Sequence, residues 1–522
     1  MSSFFEDHSV TPDHGRRSLR AGAVVLTARV LIIIIQLLTF LILARILSPE
    51  DYGLVGMVTA ITVFAPLLVS LGTPDAVVGR ARITDTEISA LFWISIAVGC
   101  SATLMMAGCA PLIARFYGDP RLIWIAAVSA LTFILSALYC QHNTLLRRAM
   151  KFKELAAVEV VANLLSAGAA LAMALYGLQY WALVLRPVLL TSFIALGVWT
   201  LCPWLPGRPV MSANAKEMLR KGLHIAGFSV FDYIAGSTDR IAIGYRSGPI
   251  LLGYYQNAMF IFENLGALLV LSAHNVVVAS LSRAQNNPDE LRRLWRKALL
   301  TLQFYAMPAY GVLAVVGQDL IVVLFGSKWA QAGLLISILA LRGIPYAVDR
   351  TLGWLHVASG RTDRWMRWGF IAMCAQLIAL FCGLPYGPTG VAVAFVACAF
   401  ILFIPAVAYA GRPLGISATD VIAAVWRPLV ASLLSAAIGF TLRFTLLAEM
   451  SAVLKIILST LTYMTAYLII VAGFLGERMP IRLVLTLVRD ILSTRFWRYA
   501  TIFRFMKPVG KWFGFSPGRT LN

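Results

Sequence analysis

The feature that most limits what this chain can become is a succession of long apolar runs. Fourteen of them, at about 21–45, 54–72, 88–113, 122–142, 155–176, 180–202, 222–245, 252–281, 299–317, 333–357, 369–385, 389–409, 428–447 and 453–473, are joined by short polar connections. A run of about 20 apolar residues spans the hydrocarbon core of a bilayer, and a helix there satisfies its own backbone hydrogen bonds. The expected fold is therefore an all-α polytopic membrane protein with about 14 transmembrane helices. The run at 222–245 is the least apolar, because Asp232, Asp239 and Arg240 interrupt it.

Charge fixes an expected orientation. The chain has 522 residues and a net charge of +20. Basic residues resist translocation and gather in cytoplasmic loops. With the N-terminus in the cytoplasm, inside segments hold 32 Lys and Arg and outside segments only four, Arg115, Arg121, Arg246 and Lys328. A missed span would invert every later loop, so the asymmetry supports an even number of crossings with both termini inside. It also accounts for the positive charge without nucleic acid. The expected location is a membrane, crossed many times, with both termini on its cytoplasmic side.

The chain carries one corner twice. "RILSPEDYG" (45–53) and "YRSGPILLG" (245–253) each lie between two apolar runs. At an offset of 200 residues, 19–71 aligns with 219–271 without a gap and with ten identities, among them Pro49 with Pro249 and Gly53 with Gly253. Pro and Gly punctuate a tight helix–helix turn. Spans 1–6 and 7–12 thus read as two copies of one six-helix bundle in the same orientation, as in some transporters. The expected organisation is a cytoplasmic N-terminal flank (1–20), an N-lobe (21–202), a linker with an amphipathic helix (203–221), a C-lobe (222–409), two further spans (428–473) and a basic amphipathic tail (474–522). Surface-lying amphipathic helices are expected at 76–87, 212–221 and 288–298. In the tail, 478–506 mixes Arg and Lys with aromatics, a composition suited to an anionic headgroup layer.

Charges within spans are the candidate functional groups. An ionisable side chain at the bilayer centre costs about 2.5–3.5 kcal/mol on the insertion scale and marks a cavity or a pair. Arg29 and Gln36 share a face of the first span, Arg186 precedes Pro187 in the sixth, and Arg342, Tyr346, Asp349 and Arg350 form a stripe in the tenth beside Pro345, which can kink it. The guanidinium fork binds phosphate or carboxylate oxygens in bidentate fashion, so Arg29, Gln36, Arg186, Arg342 and Arg350 are candidates for an anionic ligand facing a cavity. Asp232, Asp239, Arg240, Glu263 and Asp349 are candidates for charge pairs or for carrying H⁺ or Na⁺. Arg45, Arg443 and Lys455 lie near span ends, where snorkelling explains them. The seven cysteines read as small buried hydrophobes without metal-ligand spacing, the histidines are scattered, and no phosphate-binding Gly-rich loop is present. No cofactor, metal or catalytic set is expected, and no enzyme.

Three segments, "LARILSPEDYGLVGMVTAI", "STDRIAIGYRSGPILLGYYQNAMFI" and "NTLLRRAMKFKEL", resemble the polysaccharide-transport proteins, Wzx-type lipid-linked oligosaccharide flippases of the MOP superfamily close to succinoglycan and colanic-acid exporters. The resemblance covers about 15–475. It implies a MATE-like fold of two six-helix lobes that open alternately to each side. It also implies an oligosaccharide substrate on undecaprenyl pyrophosphate, cationic cavity residues, cation coupling, and a polymerase and co-polymerase as possible partners. Asp239 in "TDRIAIG" matches the acidic residue of the family's "LDNLLIG" pattern, where Arg240 replaces Asn. Composition alone equally allows a drug exporter, and a peptidoglycan-precursor flippase is a third transporter reading. A polysaccharide polymerase or ligase is the enzymatic alternative, against which stands the lack of a large outside loop.

Overall fold

The computed structural model describes residues 14–62, 69–70, 77, 83–208, 210, 213–284, 287–358 and 361–476. The expected features at 478–506 and half of 76–87 lie outside the described residues, as do the side chain of Asp232 and most of those of 212–221. Among the described residues every regular element is helical. Nine helices among the described residues are long and apolar enough to cross a membrane. A tenth is added if the bent pair Ser327–Leu341 and Gly343–His356 forms one span.

Contacts group the chain into two compact units, Met1–Gly253 and Tyr254–Asn522. The first contains α1 (His14–Ile46), α2 (Pro49–Thr62), α3 (Asp85–Tyr117), α4 (Arg121–Arg148), α5 (Phe152–Leu175), α6 (Trp181–Leu201) and the first part of α7 (Ala213–Arg283). Within it α1 packs on α5, α5 on α6, and α4 on α2, α3 and α6. One core gathers Phe92, His142, Trp199 and Trp204, with His142 stacked on Trp199 at 4.2 Å.

The opening motif is a helix start. Ser48 caps α2 through a reciprocal box: its backbone N–H donates to Asp51 Oδ2 at 2.8 Å and its Oγ accepts from Asp51 N–H at 3.2 Å. Pro49 fills the first helical position, where no N–H is needed. The second copy makes its turn differently, with Gly248 at φ 79° ahead of Pro249, so α7 runs on as one assigned helix through a break. The two corners meet within the first unit. A Cβ on Gly53 would collide with the Pro249 carbonyl, and one on Gly253 with the Pro49 carbonyl. This reciprocal seat draws residues up to Gly253 into the first unit, so the contact boundary falls downstream of 203–221. Beside it Phe116 stacks on Tyr245 at 4.6 Å. Arg121 bonds Asp119 and Glu50 at 2.7 and 2.6 Å, and this guanidinium holds the Asp119 carboxyl below its usual range.

The second unit holds the rest of α7, α8 (Pro288–Phe325), α9 (Ala330–Leu341), α10 (Gly343–Ala358), α11 (Thr362–Gly383), α12 (Gly387–Gly411), α13 (Ala418–Phe444) and α14 (Ala452–Leu468). The segment 288–298 is not a separate surface helix. It forms the first turns of α8, capped by Asn287, with Leu291, Leu294 and Trp295 buried. Arg292 pairs with Asp420 at 2.9 Å and Trp295 donates to the Thr351 carbonyl, so its polar and apolar faces both have intramolecular partners. α13 and α14 pack on α8. Tyr463 lies in hydrogen-bond contact with Ser432, and Tyr467 donates to the Phe304 carbonyl at 3.0 Å. Arg443 does not snorkel. It is 11% exposed, pairs with Asp319 at 2.8 Å and donates to the Val315 carbonyl. Of the cysteines, Cys140, Cys202 and Cys398 are buried as small hydrophobes, whereas Cys382 is exposed.

Candidate functional site

Each unit contains a cavity. In the first, α2, α4 and α6 enclose about 180 Å³ lined by the hydroxyls of Thr59, Thr62, Ser129, Thr132, Ser136 and Thr191 and by Val55, Leu183, Val184 and Pro187. Spacing explains the lining. Thr59 and Thr62 follow Val55 on one face of α2, and Ser129, Thr132 and Ser136 recur three and four residues apart on α4. Arg186 flanks the wall formed by Leu183, Val184 and Pro187. It is half-buried on α6 and within electrostatic reach of Tyr52, one turn before Val55 on α2. Among the described residues no carboxylate lies within ion-pair distance of it.

Arg29 is exposed on α1, and no described residue pairs with it. Gln36, on the same face, donates its Nε2 to Asn163 Oδ1 on α5 at 3.4 Å. That contact places the polar face of α1 beside α5. Asp239 is buried, and its Oδ1 accepts from the Arg240 N–H at 2.8 Å. Glu263 is exposed at the other end of α7.

In the second unit α10, α11 and α12 border a smaller cavity of about 90 Å³. The expected stripe is broken in two. The helix bends by 52° between α9 and α10, with Arg342 capping α9 and Pro345 in the first turn of α10, which has no need of its N–H. Arg342, Tyr346, Asp349 and Gln376 face the cavity together. The expected pairing of Asp349 with Arg342 or Arg350 is absent among the described residues. Arg350 instead donates to the Tyr346 hydroxyl at 2.9 Å and lies over its ring, and Arg342 lies 5.6 Å from the centre of the Phe395 ring. Aromatic faces here take the place of carboxylates as partners of both guanidinium groups.

Neither the hydroxyl lining nor Asn163 stood out in the sequence. A charge in an apolar run is conspicuous, whereas Ser and Thr are common in helices, where the backbone satisfies them. The recurrence of Ser129, Thr132 and Ser136 on one helical face was the available signal.

A bundle of long apolar helices, a duplicated corner and cationic groups inside the spans define a multi-pass membrane transporter. Comparison gives the family: residues 42–333 match the family model described as polysaccharide biosynthesis protein. The chain belongs to that family. It is 25% identical over 363 residues to the teichuronic acid biosynthesis protein TuaB of Bacillus subtilis, covering 68% of this chain and 74% of TuaB. It is 22% identical over 432 residues to the lipopolysaccharide biosynthesis protein WzxC of Escherichia coli, covering 81% and 87%. Among solved structures, the lipid II flippase MurJ in an inward closed conformation superposes with a TM-score of 0.70 at 15% identity, covering 87% of this chain and 99% of MurJ. An inward-facing multidrug resistance MATE transporter of the MOP superfamily gives 0.55 at 15%, covering 73% and 94%. These two likenesses establish the fold, which this chain shares with MurJ and the MATE transporter.

Proposed function

We propose that this chain moves oligosaccharides linked to undecaprenyl pyrophosphate from the inner to the outer leaflet of a bacterial cytoplasmic membrane by alternating access, with H⁺ or Na⁺ as coupling ion. The observation that carries the reading is Arg186. A half-buried guanidinium without a carboxylate partner among the described residues, in a chain of the polysaccharide biosynthesis family, supplies what a pyrophosphate requires: fixed positive charge with a bidentate fork. Arg29 and Arg342 offer further cations, and Asp349 and Asp239 are the carboxylates suited to coupling. The helix break at Arg342 resembles the interrupted spans that build transporter sites.

The test is a deletion strain complemented by variants. Deletion should accumulate lipid-linked repeat units on the cytoplasmic side. Arg186→Ala and Arg29→Ala should insert normally yet cut polymer export about tenfold or more, by loss of a charge-assisted contact worth about 1.5–3 kcal/mol. Arg186→Lys should recover only part, because it keeps the charge and loses the fork. Undiminished export by both Ala variants would refute the roles assigned to them.

A further inference from the structure

We infer that the hydroxyl-lined cavity between α2, α4 and α6 is the seat of the first sugar of the substrate, the one bonded directly to the pyrophosphate; this rests on the lipid-linked oligosaccharide reading above. Three observations carry it.

The first is the direction of the hydroxyl hydrogens. Thr132 Oγ1 donates to the Ser129 carbonyl at 2.6 Å, Thr191 Oγ1 to the Pro187 carbonyl at 2.6 Å, and Thr62 Oγ1 to the Val58 carbonyl at 3.4 Å. Their protons are committed to their own helices, so the oxygen lone pairs are what they offer the cavity. Pro187 adds to this, since it has no N–H for the Leu183 carbonyl four residues before it, and Leu183 lines the same space. These acceptors, set in a wall that is otherwise mostly apolar, suit a ligand that combines O–H donors with a C–H face.

The second is size and charge. The space is about 180 Å³, whereas on the same measure one water needs about 10–15 Å³. That admits a sugar ring and is far more than one cation needs. Among the described residues no carboxylate lines it, and hard cations favour carboxylate oxygens. The apolar lining of Val55, Leu183, Val184 and Pro187 matches the C–H face of a pyranose.

The third is position. Pro187 follows Arg186 directly, and Val55 lies one turn from Tyr52, which is within electrostatic reach of Arg186. In a sugar–pyrophosphate the anomeric carbon is bonded to a phosphate oxygen, so the charge and the first ring need adjacent seats. Arg186 and the cavity provide them. The remaining sugars are not assigned to this cavity.

The experiment measures binding to the purified full chain in detergent. The probes are undecaprenyl pyrophosphate alone and the same lipid carrying one glucose, galactose or N-acetylglucosamine. The variants are Thr132→Val/Thr191→Val, which keeps shape and removes the acceptors, and Thr132→Ser/Thr191→Ser, which keeps them. The wild-type chain should bind at least one sugar-bearing lipid about tenfold more tightly than the bare lipid, the effect of one or two net hydrogen bonds. The Val variant should bind all four alike, and the Ser variant should restore the preference. If the double Val variant does not fold, Thr132→Val and Thr191→Val singly should each reduce the preference. A Val variant that retains the preference, or a wild-type chain that shows none while binding the bare lipid, overturns the sugar seat and leaves the flippase reading standing. Failure of the wild-type chain to bind any of the four overturns both.

Discussion

Two arginines in apolar helices show why a charge cannot be interpreted by its position in a span alone. Arg443 and Arg186 look alike in the sequence, except that Arg443 is nearer a span end. In the structure Arg443 meets Asp319, 124 residues away in the chain, and the pair is 11% and 19% exposed. No local pattern announces such a contact. Arg186 has no acidic neighbour in its own helix, and the described residues add none. The two should therefore respond in opposite ways to mutation. Asp319→Ala strands a buried guanidinium and should cost about 3 kcal/mol, read as a lower melting temperature of the purified protein. Arg186→Ala removes a charge that lacks an ion partner, so the melting temperature should hold or rise while export falls. A protein that loses stability with Arg186→Ala would show that this arginine serves the fold.

At the scale of elements, the sequence was most legible where backbone chemistry is local. Ser48, Pro49 and Asp51 specify a helix start by themselves, and the Pro and Gly register exposed the repeat. What the register could not show is that the two corners seat on each other. Gly53 and Gly253 are needed because a backbone carbonyl of the opposite corner occupies the place of a Cβ. Backbone atoms cannot turn aside as a flexible side chain can, so Gly53→Ala and Gly253→Ala should each destabilise by about 1–3 kcal/mol, the usual range for overpacking. Because both act on one contact, the double variant should cost less than the sum. Thermal unfolding of the three variants checks this, and additive losses would mean the two glycines act apart. The same limit explains the segment at 288–298. Its amphipathic pattern was visible, but its partners, Thr351 and Asp420, lie far along the chain, and only the fold shows that they cover it.

For the whole molecule, alternating access requires that the end of the chain bearing these corners be closed in one state and open in another. In this structure Phe116 stacks on Tyr245 at 4.6 Å beside the crossed corners. The first residue belongs to the first sequence repeat and the second to the opening span of the second repeat. If the repeats part there during transport, a covalent tie between these positions must stop the cycle. Phe116→Cys/Tyr245→Cys in a background with the seven native cysteines replaced should form a disulfide under oxidation, arrest export, and recover on reduction. Each single variant should export normally under both conditions. On the orientation expected from the charge asymmetry this end faces outside, so an impermeant thiol reagent should label Phe116→Cys alone in intact cells and leave a cysteine at Met150 unlabelled. Export that continues at full rate through the oxidised double variant would mean that this end does not open, and alternating access through it would have to be abandoned.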